Sequence, residues 1–343
     1  MEIVHNAPLA PLSTMGLGGN AAHLATVTTR MELLEALSWA QINGNLPVMM
    51  IGTGSNIIWK DEGFSGLVII NSISRYEVYE EDDDNIYVTA GSGENWDNVV
   101  AKTVEAGYSG LEALSLIPGT CGATPIQNVG AYGQEMSNVL VTIEAFDTQL
   151  GDYATIPASE CGFGYRQSRF NTTDRGRFYI SAITMHLTKA SPQPPYYAAL
   201  QTYFDEHQIT KPTPATVRAA VIAIRSAKLP DPGVVHNTGS FFANPIVSQR
   251  YIDDLNYRYG KIPYWSVGGK SYKLSAAWLI QQAGYKDYHD EETGMATWSS
   301  QPLVLVNEHA NSTADLLKFK QKIVDAVYAK FQITLVQEPE LLP

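Results

Sequence analysis

The chain has 343 residues, of which 45% are apolar and 17% charged; that is long enough for two or three domains and excludes both whole-chain disorder and dependence on disulfides for a core. Its 23 basic and 35 acidic side chains leave a net charge of −12, which argues against a grip on nucleic acid or an anionic membrane. A local cluster of cations and backbone N–H groups could still take a phosphorylated small molecule.

The first half alternates strands and helices. Leu33, Leu34, Leu37 and Ala40 recur at helical spacing within residues 30–42, with Thr28 or Thr29 as N-cap and Gly44 as stop. Strands are expected at Pro47–Ile51, Leu67–Ile70 and Ile86–Ala90, and a helix at Asn95–Ala106 ended by Gly107. Residues 109–133 carry five glycines and two prolines, the composition of a long shaped loop rather than a regular element. Strand character returns at Asn138–Phe146 and Phe178–Leu187. After a Pro/Tyr-rich stretch, Thr213 caps a helix that has Pro214 in its first turn, and Lys228-Leu229-Pro230-Asp231-Pro232 ends it at a domain boundary. Helices near Leu274–Ala283 and Ser312–Phe331 follow, then a strand at Ile333–Val336.

Cys121 and Cys161 form no CxxC, zinc ribbon or disulfide framework, which fits a reducing cytoplasm. Residues 1–10 show no secretion signal, and no apolar run approaches the roughly 18 residues of a membrane span. The expectation is a cytoplasmic protein without membrane insertion, and a monomer. No histidine pair has metal-ligand spacing, so no metal site is expected.

Two strings imitate nucleotide motifs. Gly16-Leu17-Gly18-Gly19-Asn20-Ala21 fits the dinucleotide fingerprint, but no strand precedes it and no helix clearly opens from it. Gly269-Lys270-Ser271 imitates the end of a phosphate loop, but Tyr264 stands where the earlier glycine belongs. Gly52-Thr53-Gly54-Ser55-Asn56 is different, because it follows a strand and can present consecutive N–H groups to a phosphate; alone it reads equally as a tight turn. In residues 117–133, glycines and small side chains let backbone lie flat against a ligand, while Gln127 and Asn128 add amides that can read a heteroaromatic edge. Two such loops after strands favour a bound nucleotide cofactor over an elaborate structural loop. Ser240 lies in no G-x-S-x-G string, so its hydroxyl suits proton delivery to a developing carbanion better than nucleophilic attack; a packed turn is the plainer alternative.

The motifs, taken together, resemble those of the MurB family, the UDP-N-acetylenolpyruvoylglucosamine reductases of bacterial peptidoglycan synthesis. In chain order they are IGTGSN (51–56), AGSGENW (90–96), GLEALSLIPGTCGATPIQNVGAYG (110–133), FGYR (163–166), RSAKLPDP (225–232), GSFFANP (239–245), QPLVLVN (301–307) and EPE (338–340). The resemblance spans nearly the whole chain and implies an α+β fold. An FAD-binding pair of domains of the vanillyl-alcohol-oxidase (PCMH) type would be joined to a C-terminal α+β substrate-binding domain. It places one FAD-binding subdomain at 1–71, with 332–343 returning to it, a second at 72–228, and the substrate domain at 229–331.

The implied cofactors are bound FAD and the co-substrate NADPH, and the implied substrate is a UDP-sugar bearing an enolpyruvyl group. Gly52, Thr53, Gly54, Ser55 and Asn56 would hold FAD, together with Pro118, Gly119, Gly122, Ala123, Gln127, Asn128, Gly130, Ala131, Tyr132 and Gly133. Ser240 would donate the proton, and Arg166 and Glu340 would polarise the substrate carboxylate and stabilise the enol-like intermediate. Tyr165, Tyr197, Lys228, Asn244, Lys286 and Gln301 would contact substrate, with Tyr197 on a loop found in the longer of the family's two forms. Two alternatives remain at this point: an FAD oxidase of the same fold acting on another substrate, and a non-catalytic nucleotide-binding protein.

Overall fold

A computed structural model describes all 343 residues, and its contacts group them into two units, each built from segments distant in sequence. The first comprises residues 1–7, 21–53 and 64–226; the second comprises 8–20, 54–63 and 227–343.

The helices of the first unit begin where local chemistry allows. Helix α1 (Arg30–Ile42) is capped by Thr29, whose side chain accepts from the Glu32 N–H, and it buries Leu33, Ala36 and Ala40. Helix α2 (Trp96–Glu105) is capped by Asn95 and buries Trp96, Val99, Val100 and Val104. Helix α3 (Ala198–Glu206) lies inside the Pro/Tyr-rich stretch, and α4 (Pro214–Lys228) follows it. A four-stranded sheet sets strands Ile3–Pro8, Asn20–Val27, Phe64–Asn71 and Val48–Ile51 in that order; the last two pair in parallel, as do the middle two. Helix α1 is the crossover such parallel strands require. A five-stranded antiparallel sheet runs Asp152–Pro157, Leu140–Asp147, Phe178–Leu187, Ile86–Gly91, Tyr76–Glu80.

In the second unit, α5 (Gln249–Tyr259), α6 (Ala276–Gln282) and α7 (Thr313–Phe331) pack with three small sheets. Helix α7 buries Leu316, Phe319, Ile323, Val327 and Phe331, a spacing that lines one helical face. Its sheet neighbours include the antiparallel set Asn237–Ser240, Gln301–Asn307, Met295–Trp298, His289–Asp290. A parallel pair joins Glu340–Leu342 to Ile57–Trp59.

The expected strand at Ile333–Val336 is not formed. Ile333 and Leu335 enter the core in alternation, which imitates a strand pattern, but the only pairing is at the segment's end, where Val336 O accepts from the Ala243 N–H and Gln337 forms an isolated bridge with Phe242; the terminal strand is Glu340–Leu342. The rejected dinucleotide string has a packing role. A Cβ on Gly18 would lie 2.4 Å from Trp59 Cβ, and one on Gly19 would lie 2.2 Å from the Asp61 carbonyl oxygen. No helix is long and apolar enough to cross a membrane.

Asp147 and Arg177 fasten the open end of the Leu140–Asp147 and Phe178–Leu187 pair. The guanidinium donates to both carboxylate oxygens, at 2.9 and 2.6 Å, and Asp147 is only 1% exposed. The Arg177 hydrogen bond holds the Asp147 carboxyl down to about 2, against the cost of burial. A depressed folded-state pKa gives stability that is present above the unfolded value near ~3.9 and lost as pH falls through the folded one. Asp147→Asn is therefore expected to lower stability by about 2 kcal/mol at neutral pH. In urea unfolding the gap to wild type should narrow steadily below pH 4; a gap independent of pH would contradict this. A second prediction concerns Gly54 (φ 71°) and Gly44 (φ 105°). A Cβ on Gly54 would lie 2.0 Å from the Leu12 carbonyl oxygen, whereas one on Gly44 would meet nothing within 4 Å. Gly54→Ala should lower Tm clearly more than Gly44→Ala, and equal shifts would show that the Leu12 approach relaxes without cost.

Candidate active site

In the first unit, three glycine-rich turns meet. A Cβ on Gly52 would lie 2.4 Å from Thr120 Oγ1, and one on Gly122 would lie 2.5 Å from Ser92 Cβ. The Gly122 N–H donates to Ser92 O, the Cys121 N–H to Glu94 O and the Trp96 N–H to Gly119 O. The turn at 90–96 thus lies against residues 119–122 and Gly52 against Thr120, with no room for side chains at the points of contact.

The loop and the Arg166 turn beside it are bent by residues in the left-handed region. Leu116, Asn128, Tyr132 and Arg166 all have φ between 48° and 57°, a conformation that side chains rarely adopt without compensation. Asn128 supplies part of it. Its side-chain N–H groups donate to Glu135 and to Gly164 O, its carbonyl accepts from the Ser137 N–H, and it is 1% exposed. That amide is spent on holding the loop, so any contribution of Asn128 to a ligand goes through backbone and shape. Gln127, Gly130 and Ala131 are half-buried, whereas Pro118, Ala123 and Gly133 are exposed.

Arg166 is tied to the same loop. Its Nη2 donates to Gly130 O at 2.9 Å, and its guanidinium lies 5.2 Å from the centre of the Tyr165 ring. Tyr132 and Tyr197 meet edge to face at 5.7 Å. Burial raises both phenols above their ordinary value, so at neutral pH they are uncharged hydrogen-bonding groups. Arg218 on α4 grips Asp97 on α2 through both carboxylate oxygens, at 2.6 and 3.0 Å. Burial opposes the Asp97 charge, but the hydrogen bonds from Arg218 and the Leu116 N–H outweigh it and leave the carboxyl below its ordinary value. No sequence motif marks this pair, because its members are 121 positions apart.

In the second unit, Ser240 ends the strand Asn237–Ser240 opposite Val304. Directly after it, the Phe241 carbonyl accepts from the Glu338 N–H at 2.9 Å, Phe242 bridges to Gln337, and the Ala243 N–H donates to Val336 O. Two residues further, the Glu340 N–H donates to Asn56 O at 2.9 Å, and Glu340 pairs with Ile57 in the parallel ladder. The structure therefore brings GSFF, EPE and the end of GTGSN side by side. Leu342 is 4% exposed, so the segment carrying Glu340 is anchored rather than frayed.

The expected substrate contacts are more dispersed. Lys228 and Lys286 are exposed, the latter beyond the end of α6. Asn244 Oδ1 accepts from the Ala276 N–H at 2.9 Å, which supports the start of α6, and Gln301 sits at the turn opposite Trp298. A surface cavity of about 570 Å³ in this unit is lined by His236, His289, Trp298 and Asn307, among others, and by none of the expected site residues.

Both cysteine thiols are buried and free, and burial raises Cys121 strongly and Cys161 to about 11. Neither is a thiolate nucleophile at neutral pH. No cluster of three or more His, Cys, Asp or Glu side chains could hold a metal ion. The residues do suit a flavin dinucleotide. The glycines let the loop backbones pack against one another, and the polar side chains that these loops carry are neutral amides and hydroxyls, which can pair with the heteroatoms of a flavin ring.

Comparison with known proteins agrees with this construction. Residues 21–155 match the family model of an FAD binding domain. Residues 231–342 match that of the UDP-N-acetylenolpyruvoylglucosamine reductase C-terminal domain. A UDP-N-acetylenolpyruvoylglucosamine reductase of Alcanivorax borkumensis is 41% identical over 99% of this chain and 96% of its own length. One from Burkholderia orbicola is 40% identical over 100% of this chain and 97% of its own. Among solved structures, the reductase MurB from Thermus caldophilus superposes with a TM-score of 0.67 at 24% identity, covering 100% of this chain and 98% of that one, which supports the fold. With an FAD binding domain, the reductase C-terminal domain and relatives 40% and 41% identical over nearly their full length, the chain belongs to the UDP-N-acetylenolpyruvoylglucosamine reductase family.

Proposed function

We propose that the chain reduces the enolpyruvyl group of UDP-N-acetylglucosamine enolpyruvate to UDP-N-acetylmuramate, with FAD as resident cofactor and NADPH as reductant. FAD, when bound, would supply the hydride chemistry, with NADPH as the source of electrons. The observation that carries the reading is the convergence of Ser240, Glu340 and Asn56 on adjacent backbone segments of the second unit, within the matched C-terminal domain apart from Asn56.

The reduction adds a hydride to the terminal methylene carbon of the vinyl ether and a proton to the carbon bearing the carboxylate. Charge builds on that carboxylate as the hydride arrives. Ser240 delivers the proton from its hydroxyl and is reprotonated from solvent. Arg166, held to Gly130 O, presents a fixed guanidinium to the carboxylate, and Glu340 acts at the same group, so both act chiefly on the transition state. Gly52, Thr53, Gly54, Ser55 and Asn56 would hold the FAD diphosphate, and residues 118–133 would hold the ring. Tyr165 and Tyr197 cover the sugar nucleotide. Lys228 and Lys286 supply positive charge that the acidic chain otherwise lacks, and Asn244 and Gln301 supply amides. A monomer in the cytoplasm is the working state, and two free buried thiols suit that compartment.

Ser240→Ala separates the proton donor from the rest. Reduction of the bound flavin by NADPH should persist near the wild-type rate, while reoxidation by the enolpyruvyl sugar nucleotide should fall roughly a hundredfold or more in anaerobic stopped-flow absorbance. Reoxidation at the wild-type rate would remove Ser240 from the role.

A further inference from the structure

Arg225, near the end of α4, has no carboxylate of its own: the one within range is shared with a second guanidinium. Its Nε is buried and has no hydrogen-bond partner. Asp97 is the carboxylate within its electrostatic range, and Asp97 is already committed: both oxygens accept from Arg218, and Oδ1 also accepts from the Leu116 N–H at 2.5 Å. Two guanidinium groups thus share one carboxylate. Burial lowers the Arg225 pKa from its ordinary value, as expected of a desolvated cation lacking a counter-charge of its own.

Arg225's other electrostatic neighbour is Tyr132, whose phenol is neutral and cannot serve as that counter-charge. Tyr132 packs into the cluster between α3 and α4, which includes Leu200, Val221 and Ile224. Its ring meets Tyr197, which is 38% exposed, so the aromatic pair leads from the buried guanidinium towards solvent. An idle, desolvated donor group is costly, and a guanidinium fork matches phosphate geometry. A neutral ligand group would leave the extra positive charge in place, whereas a phosphate would cancel it.

We propose that Arg225 anchors a phosphate group of a nucleotide ligand that binds beside Tyr132 and Tyr197. The proposal rests on the reductase reading for its two candidate ligands, NADPH and the UDP-sugar, which share this chemistry. Arg225 is three positions before Lys228, the cation expected from the sequence, and belongs to no interaction that the sequence alone would suggest.

The test uses flavin-loaded Arg225→Met and Arg225→Lys, with flavin content and Tm checked against wild type. Each half-reaction is followed by anaerobic stopped-flow absorbance. In Arg225→Met the apparent Kd for NADPH, for the UDP-sugar or for both should rise roughly tenfold or more, the limiting rates staying within about threefold. Arg225→Lys should recover part of the loss. A rise confined to NADPH places the reductant's phosphate there; one confined to the UDP-sugar places the substrate's. Unchanged Kd values, or a lower limiting rate at constant Kd, would overturn the proposal. If Arg225→Met does not retain flavin, Arg225→Lys decides, since the loss of the fork should still raise a Kd about threefold. Calorimetric titration with inorganic pyrophosphate reads the anion site without turnover: weaker binding to the variant than to wild type supports the proposal, and equal binding overturns it. A wild-type protein that binds pyrophosphate through Arg225 yet performs neither half-reaction would count against the reductase reading alone.

Discussion

Backbone pairing between Ile57–Trp59 and Glu340–Leu342 is the constraint on which the second unit depends. Residues 57–59 are separated in sequence from the rest of that unit, and their N–H and C=O groups need partners once Ile58 and Trp59 are fully buried. The chain's last strand supplies them. The following turn is then latched to α7, because both carboxylate oxygens of Asp61 accept N–H groups from the first turn of that helix, at 2.7 and 2.9 Å. Thr313 Oγ1 adds a hydrogen bond to Trp59 O. One short ladder therefore fixes the segment after GTGSN, the start of α7 and the backbone of Glu340 together. Gly18 and Gly19 complete the arrangement by leaving space beside Trp59 and Asp61.

In the first unit the equivalent constraint is strain. The loop from Leu116 to Gly133 is turned by non-glycine residues at positive φ, and such a path persists only where surrounding contacts over-determine it. Asn128, Glu135, Gly164 and Ser137 form that support on one side. Glu112 does so on another: it is 2% exposed and accepts from the Gly110 N–H, Ser109 and Gln134. Arg166 shares the pattern, since it is itself at positive φ and is bonded to Gly130 O. A guanidinium held this way would give up little freedom on meeting a carboxylate, which suits the role proposed for Arg166.

Elements with local signals were legible in the sequence. The cap Thr29, the helices expected to open at Asn95 and Ser312 and the strand Phe178–Leu187 stand where the residues indicate. Elements that depend on distant partners were not. Helix α5 buries only Ile252 and Leu255 among tyrosines and charges, so its period is faint, and α3 is hidden behind prolines. The alternation at Ile333 and Leu335 pointed to a strand several residues too early, because pairing with 57–59, rather than burial, decides where the ladder forms. The glycine loops of the site were visible as composition. The Asp97–Arg218 pair and the Tyr132–Tyr197 contact were not, since each joins residues that only the fold brings together, and the idle Arg225 Nε was not, since only the fold buries it away from partners.

The central claim is that these loops hold a flavin serving both NADPH and an enolpyruvyl sugar nucleotide. The most direct measurement is the visible absorption spectrum of the purified wild-type protein under anaerobic conditions, recorded before and after NADPH and again after the enolpyruvyl substrate. A yellow protein that bleaches with NADPH and regains its colour with substrate, with one equivalent of UDP-N-acetylmuramate formed, is the expected result. A colourless protein that acquires no flavin spectrum on incubation with FAD would contradict the claim, as would a reduced flavin that the substrate fails to reoxidise.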